Sequence, residues 1–303
     1  MKLKTKDLLT SDEISSKEFL KLIDFSIKLK KQNKTGKEKP LLKNKTLAMI
    51  FEKPSTRTRV SFEVGMSQLG GHAVNLSSNQ MQHSRGESAE DTAKTLSCYV
   101  DAIVARVYEH DFIEELAKHS TIPVINGLSN SYHPCQTLAD LMTIKEHKKK
   151  FKDLKIAWIG DGNNVCNSLI FGCSKTQIQI SIATPKGFEP NSDVMKKASK
   201  YTSVDLTTDP EFAVRDADVV MTDTFVSIHD SDAKSKKFLP TFQVNESLMN
   251  KAKDNAIFMH CLPAKRDQEV TSAVIDGPQS VVWDEAENRL HTQKALLLSL
   301  LSI

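Results

Sequence analysis

The sequence predicts an α/β protein of two domains, each a parallel sheet flanked by helices. Short β-rich apolar runs alternate with segments of helical spacing, a pattern that favours parallel strands covered by helices. The alternation is interrupted between His147 and Lys155, where five lysines stand among nine residues. The 303 residues also suffice for two domains of about 150 residues each.

This interruption sets the expected domain boundary. We expect a first domain at residues 1–148, a second at 149–285, and a C-terminal helix at 286–303 that packs back on the first domain. The last of these rests on Ala295–Leu301, which is apolar on more than one helical face and is therefore expected to be buried.

The expected elements of the first domain follow in order. Thr10 and Glu13 have the spacing of a capping box, and apolar residues from Ile14 to Leu29 continue at helical spacing, before a Lys-rich loop at 31–45. The expected strands are Leu47–Phe51, Ala73–Leu76, Ala102–Val107 and Pro123–Asn126. The expected helices are Thr56–Leu69, Ser88–Cys98 with Ser88 as N-cap, Phe112–His119 and Cys135–Lys148.

The second domain repeats the alternation, and a last helical pattern follows at 284–303. Its expected strands are Ile156–Ile159, Ile178–Ala183, Val204–Leu206, Val219–Thr222, Ala256–His260 and Val281–Trp283. Residues 224–243 form a polar stretch of a length typical of lids and binding loops.

The composition argues against several classes of protein. A net charge of +3 is too small to indicate nucleic-acid binding, and no apolar run approaches the roughly 18 residues of a membrane span. Met1–Asp12 lacks the apolar core of a secretory signal, so a cytoplasmic location is expected. The five cysteines lack zinc-type spacing and are expected to be reduced thiols.

The segment from Ser55 to Arg59, Ser-Thr-Arg-Thr-Arg, has the composition of a site for a doubly charged anion. It stands at an expected strand-to-helix junction, where unpaired backbone N–H groups and the helix dipole favour negative charge. Arginine adds forked donors that suit phosphate. The alternative is an exposed basic start of a helix.

Other candidates follow the ends of expected strands, where ligands of open α/β sheets bind. Each also has an ordinary structural reading, such as a surface ion pair, a cap or a buried thiol. The candidates are Arg106, His133 with Gln136, Asn164, Asp223, Cys261 and Arg289. A dinucleotide site at Gly160 is disfavoured, because Val165 stands where the fingerprint needs its third glycine.

Five ordered strings resemble the aspartate/ornithine transcarbamylase family, and within it the ornithine-specific members. They span nearly the whole chain, and five in order are far more specific than any one. They are Phe51–Arg59, Asn126-Gly127-Leu128, His133-Pro134-Cys135-Gln136, His260-Cys261-Leu262-Pro263 and Glu285–Arg289.

The resemblance implies transfer of a carbamoyl group from carbamoyl phosphate to the δ-amine of ornithine, with no metal or cofactor. It implies a catalytic set of Arg57, Arg106, His133, Asp223 and Cys261. It implies that carbamoyl phosphate is bound by Ser55, Thr56, Arg57, Thr58, Gln82, Arg106, His133, Gln136, Cys261, Leu262 and Arg289. It implies that ornithine is bound by Asn164, Asp223, Ser227 and Ile228. Gln82 is expected to reach a neighbouring subunit's site, which implies a homotrimer.

The chain departs from the family pattern in one loop. The family's Asp-x-x-x-Ser-Met-Gly reads Asp223 to His229 here, with Ile228 and His229 at the last two positions. Histidine lacks the access to positive φ that glycine has, so the loop is expected to close with different geometry or rate. A different amine acceptor, such as N-acetylornithine or putrescine, therefore stays open. A non-catalytic anion-binding α/β protein is the alternative from another class.

Overall fold

Alternating strands and helices form two all-parallel sheets, which confirms the predicted fold class. The computed structural model of the chain describes residues 1–52, 55–77, 86–226 and 232–301. The chain divides into two compact units, one of Met1–Met142 with Glu287–Ile303 and the other of Thr143–Ala286.

The first unit holds a sheet of strand order β2-β1-β3-β4. Its strands are β1 Thr46–Phe51, β2 His72–Ser77, β3 Ala102–Arg106 and β4 Val124–Leu128. Its helices are α1 Ser16–Lys34, α2 Arg57–Gln68, α3 Ala89–Tyr99, α4 His110–His119 and the first part of α5 Pro134–Lys148. Ser88 caps α3 as predicted, since its hydroxyl accepts the N–H of Asp91.

The second unit holds a sheet of strand order β7-β6-β5-β8-β9. Its strands are β5 Lys155–Ile159, β6 Gln179–Ala183, β7 Val204–Thr207, β8 Val219–Thr222 and β9 Ile257–His260. Its helices include α6 Asn164–Thr176, α7 Ser192–Ala198, α8 Pro210–Val214, α9 Glu246–Met249 and α10 Ser272–Ile275. A 3-10 helix spans Asp232–Lys237, and α11 Val282–Leu300 begins in this unit and continues in the other.

Each sheet has a point where the direction of strand addition reverses. In the first sheet β1 lies between β2 and β3, so the chain leaves β1 toward one side and returns on the other. In the second sheet β5 lies between β6 and β8 in the same way. Ligands of open parallel sheets bind beyond the carboxyl ends of the strands at such points. The segments that follow β1, β3, β5 and β8 are therefore the places to look for a site.

Two expectations about helix and strand boundaries were wrong. The first helix is capped by Ser15 rather than Thr10, and Ser15 forms the reciprocal capping box with Glu18. The Glu13 carboxylate instead accepts the backbone N–H groups of residues 9–11, so it closes a turn before the helix. Both Thr10 and Ser15 have an acidic residue three positions on, and the spacing alone could not choose between them.

The expected strand Val281–Trp283 is not a strand. Ser280, just before the segment, forms an isolated bridge with Phe258, the Val281 N–H donates to the Phe258 carbonyl at 3.0 Å, and α11 begins at Val282. Two acidic residues, Asp284 and Glu285, lie in the first turn of this helix, where they complement its dipole. Val281 and Val282 are β-branched and favour a strand, but the helix already begins at the second of them.

The apolar residues are buried against the sheets. In the first unit Ile50, Ile103 and Val124 belong to one buried cluster, and in the second Ile159, Val220 and Phe258 belong to another. Within the described parts of the chain, no helix combines the length and the hydropathy required to cross a bilayer.

Buried polar contacts hold the C-terminal part of α11 within the first unit. The Lys294 ammonium group, which is fully buried, donates to Glu38 and to Gln68 on α2 at 2.7 Å. Lys30 on α1 donates to the Asn288 side-chain oxygen at 2.7 Å. These contacts fix the helix on both sides of Arg289.

Candidate active site

The anion site predicted at Ser55–Arg59 lies beyond the carboxyl end of β1 and leads into α2. Thr58 is 1% exposed, whereas Arg59 lies on the surface beside Glu63. Thr56 precedes the helix, and its side chain forms no capping hydrogen bond. Of the five residues, the structure therefore turns Thr58 inward and Arg59 outward.

Arg106 closes β3 directly beside this segment, in register with Phe51 at the end of β1. Glu52 ties the two strand ends together, since its N–H donates to the Arg106 carbonyl at 2.9 Å. The Glu52 carboxylate accepts the N–H of Tyr108 at 2.8 Å. The two strand ends at the reversal point are thus fixed to one another.

His133 lies at the start of α5 and is 4% exposed. Burial is the main reason that its pKa is well below its usual range, and the positive charges of Arg289, Arg106 and Arg57 lower the pKa further. The imidazole is therefore neutral at physiological pH and offers one N–H donor. The three guanidinium groups that act on it come from α11, β3 and α2, so these elements bring positive charge to one place.

Arg289 connects two of the other predicted residues. Its guanidinium donates to the Thr58 hydroxyl at 3.1 Å and to the Gln136 side-chain oxygen at 2.5 Å. Arg289 and Gln136 are separated by 153 positions in the sequence, and both are almost fully buried. The first unit thus assembles a neutral imidazole, an amide and three guanidinium groups, a set suited to a phosphate with a neighbouring carbonyl.

The second unit places Asp223 beyond the carboxyl end of β8, at the other reversal point. Its carboxylate is 7% exposed and accepts from the Asn163 amide at 2.8 Å and from the Cys261 thiol at 3.1 Å. The backbone N–H of Thr224 donates to it at 2.8 Å. Such a carboxylate can hold an ammonium group.

Asn163 was missed by the sequence reasoning, which chose Asn164. The side-chain oxygen of Asn163 caps α6 by accepting the N–H groups of Val165 and Cys166, and this leaves its amide nitrogen for Asp223. The N-cap position before a helix was the available signal. Asn164 is the first residue of α6 and is partly buried, at a helix N-terminus that favours anions.

The turn that leads into α6 depends on its two glycines. Gly160 has a φ of +128°, and a Cβ at that position would lie 3.0 Å from the ring of Phe225. A Cβ at Gly162 would lie 2.3 Å from the backbone nitrogen of Pro190. Glycine is therefore required at both positions for conformation or close approach, as the sequence suggested for a tight turn.

The Cys261–Leu262 turn is built on a buried His260. Its Nδ1 accepts the N–H of Leu262 at 2.9 Å, so the proton of the neutral ring lies on Nε2, which is 3.2 Å from the Glu269 carboxylate. Leu262 has a φ of +57°, and its peptide bond to Pro263 is cis. The turn thus sets Cys261 beside Asp223 and leaves the thiol partly exposed.

Asp223, His260 and Cys261 bring three possible metal ligands within 4.8 Å of one another. Both ring nitrogens of His260 are already engaged, one as acceptor and one as donor. That leaves a carboxylate and a thiol, fewer than the three protein ligands typical of a zinc site. The donor set therefore fits a hydrogen-bonded pair better than a metal centre.

Several predicted site residues lie outside the described residues. They are Gln82, Ser227, Ile228 and the neighbouring His229. Residues on either side of 227–231 contact the turn before α6. Phe225 stacks on Phe238 with ring centroids 4.6 Å apart and contacts Gly160, and Lys234 pairs with Asp161 at 2.7 Å.

Family comparisons match both units. The model for the aspartate/ornithine carbamoyltransferase carbamoyl-P binding domain matches residues 6–146. The model for the Asp/Orn binding domain of the same family matches residues 152–300.

Individual relatives match over the full length. An ornithine carbamoyltransferase of Cenarchaeum symbiosum is 60% identical over 301 residues, 99% of either chain. The ornithine carbamoyltransferase structure from Pyrococcus furiosus has a TM-score of 0.94 at 50% identity, covering 98% of this chain and 97% of that one. The anabolic ornithine carbamoyltransferase of Campylobacter jejuni has a TM-score of 0.91 at 42% identity, covering 98% and 99%.

Proposed function

Because the chain belongs to the aspartate/ornithine carbamoyltransferase family, we propose that it transfers the carbamoyl group of carbamoyl phosphate to the δ-amine of L-ornithine. The products are L-citrulline and phosphate. The ornithine carbamoyltransferases that it resembles, at 50–60% identity over nearly their full length, support ornithine as the acceptor.

The observation that carries the proposal is the buried cluster in which Arg289 donates to Thr58 and Gln136, beside a buried His133 whose pKa is lowered by burial and by the charges of Arg289, Arg106 and Arg57. Three fixed positive charges can neutralise a phosphate dianion as it forms on the leaving group. The neutral imidazole can donate its N–H to a carbonyl oxygen without carrying a charge that would repel the arginines. A generic anion-binding protein would need the arginines but not this arrangement.

The reaction proceeds by attack of the neutral δ-amine on the carbamoyl carbon. The carbonyl oxygen takes up negative charge in the tetrahedral intermediate, where donors such as Thr58, Arg106 and His133 would stabilise it. The C–O bond to phosphate then breaks, phosphate leaves with the bonding electron pair, and the proton that the amine gives up is taken up by the phosphate. In the second unit, Asp223 would hold the α-ammonium group of ornithine, and Asn164 its carboxylate.

Deprotonation of the amine predicts a pH dependence. A δ-amine has a pKa near that of lysine, about 10.4, so forming its neutral state at pH 7 costs roughly 4–5 kcal/mol. We expect kcat/KM for ornithine to rise between about pH 7 and 9. His133 does not contribute to this rise, because its pKa is lowered well below 6.5 and it is already neutral throughout the range.

Cys261→Ser is the control for this profile, because it replaces the ionisable thiol beside Asp223 with a hydroxyl that stays protonated. If kcat/KM of the Cys261→Ser variant still rises with pH, the rise is due to deprotonation of the amine. A flat profile in the wild-type protein would argue against attack by the neutral amine as the limiting step.

The direct test is formation of citrulline from ornithine and carbamoyl phosphate by the purified protein. Putrescine, aspartate and N-acetylornithine should be assayed beside ornithine, because Ile228 and His229 replace the family's Met-Gly. We expect ornithine to have the highest kcat/KM. If another amine has a higher kcat/KM, that amine is the acceptor in place of ornithine. The proposed binding of carbamoyl phosphate would then still hold.

A biosynthetic role in arginine formation, a cytoplasmic location and a homotrimer complete the proposal. The anabolic relative from Campylobacter jejuni supports the direction of the reaction. The trimer rests on the family position of Gln82, which would reach the site of a neighbouring subunit. Light scattering on the protein as it elutes from a size-exclusion column gives the mass of the assembly and so the number of subunits.

A further inference from the structure

We propose that Asp140 is a positioning residue that orients the amide of Gln136, so that the site prefers ligands with a carbamoyl NH2 group. Asp140 is fully buried on α5, one helical turn after Gln136. Its carboxylate accepts the Gln136 amide nitrogen at 2.7 Å. This inference rests on the proposed function, because it assigns to one residue the recognition of the carbamoyl end.

The two ends of the Gln136 amide are distinguished by chemistry. A guanidinium has donors and no acceptor, so the amide atom that faces Arg289 must be the oxygen. The nitrogen must then face Asp140, as the contact shows. A carboxylate accepts and cannot donate, and it therefore fixes the same orientation independently of Arg289.

This orientation has a consequence for the ligand. The Gln136 oxygen has two lone pairs, so it can accept from Arg289 and also from an N–H group of the ligand. Rotation of the amide by 180° would instead present two donors, which would face the donors of Arg289. Asp140 prevents this rotation even when Arg289 turns toward bound phosphate. A carbamoyl NH2 can donate a hydrogen bond to the Gln136 oxygen, whereas a methyl group at the same place cannot.

The surroundings make the preference large. Gln136, Thr58 and Arg289 are each at most 2% exposed, so water does not replace a missing hydrogen bond at this position. When the ligand carries a methyl group, the lone pair of the Gln136 oxygen that faces the ligand is left without a donor. A site of this kind rejects an analogue that lacks the hydrogen-bonding group more strongly than an apolar pocket rejects a change of shape.

A matched pair of stable ligands tests the inference. Phosphonoacetamide carries the NH2 group, and 2-oxopropylphosphonate carries a methyl group in its place, with the same phosphonate. We expect the wild-type protein to bind phosphonoacetamide about tenfold or more tightly than the ketone. In Asp140→Leu this ratio should fall to about one, while the affinity for the ketone changes by less than about threefold. In Asp140→Asn an intermediate ratio is expected, because a neutral acceptor holds the amide more weakly.

Thr137→Val is the control, a buried substitution next to Gln136 on the same helix that leaves the amide and the carboxylate in place. It should keep the wild-type ratio. Equal losses for both ligands in the Asp140 variants would show a structural role and overturn the inference, as would an unchanged ratio. Binding of both phosphonates by the wild-type protein without a preference would also overturn the inference, whereas failure to bind either of them would contradict the proposed function itself.

A second measurement decides the matter if the Asp140 variants do not fold. In a crystal structure of the wild-type protein with phosphonoacetamide, the Gln136 amide should lie within hydrogen-bond distance of both Asp140 and the ligand NH2. A Gln136 side chain that leaves Asp140 on binding would overturn the proposal.

Discussion

Arg106→Ala should weaken the binding of carbamoyl phosphate by about 100-fold, equivalent to roughly 3 kcal/mol. Arg106 stands at the end of β3, where the sheet order reverses, and its charge is among those that lower the pKa of His133. Removing it takes away a forked donor and one of the positive charges that are expected to hold the anion. A direct binding measurement, rather than turnover, reports this loss. Arg57→Ala should give a loss of similar size.

Arg59→Ala is the matched control, since Arg59 belongs to the same five-residue segment but points outward. Its side chain is 45% exposed and lies 3.5 Å from Glu63 in a surface pair. We expect less than about a threefold change in affinity for this variant, because surface ion pairs contribute little and are screened. If Arg59→Ala weakens the binding of carbamoyl phosphate as much as Arg106→Ala does, the loss of affinity comes from the change in net charge and not from a contact in the anion site. If Arg106→Ala binds normally, Arg106 does not belong to the anion site.

The order of strands and helices could be predicted because each element carries its own periodic pattern. The ends of the helices and strands were harder to predict where two sequence signals for different boundaries lie within a few residues of each other. Ser15 and Thr10 have the same capping spacing, and only the packing of α1 distinguishes them. Val281–Trp283 has strand composition, but the pairing stops at an isolated bridge between Ser280 and Phe258, and α11 begins at Val282.

The candidate site was accessible from sequence where residues directly follow strands. Arg106 ends β3 and Asp223 directly follows β8, and the reversal of strand order places such residues at a ligand crevice. The strand order itself could not be read from the sequence. Neither could the contact between Gln136 and Arg289, which joins residues 153 positions apart.

Supporting residues were harder to find than the residues that would touch substrate. Asn163 acts on Asp223 through its amide while its oxygen caps α6, and a cap is usually explained by the helix alone. Asp140 acts through Gln136 at a spacing of four residues on one helix face, which was visible in the sequence. Nothing in the sequence showed that this face is buried, and burial is what makes the pair consequential.

Asp223→Asn should lower kcat/KM for ornithine by about 100- to 1,000-fold, with little change in the affinity for carbamoyl phosphate. The carboxylate is 7% exposed and lies at the reversal point of the second sheet, where it would pair with the ammonium group of ornithine. Asparagine has nearly the same shape, and its oxygen can still accept from Cys261 and from the Thr224 N–H, but its NH2 group cannot accept from Asn163. The substitution therefore removes the charge and one hydrogen bond while keeping the shape of the side chain.

Separate measurements of the two substrates make this prediction decisive. Asp254→Asn, an exposed carboxylate in the same unit, is the control and should leave kcat/KM unchanged. Cys261→Ser keeps a donor for Asp223 and should lose less than Cys261→Ala, which removes it. A selective loss for ornithine places Asp223 in the amine half of the reaction. Equal losses for ornithine and carbamoyl phosphate would instead show that Asp223 supports the structure of both halves, and the assignment of the ammonium group to it would have to be withdrawn.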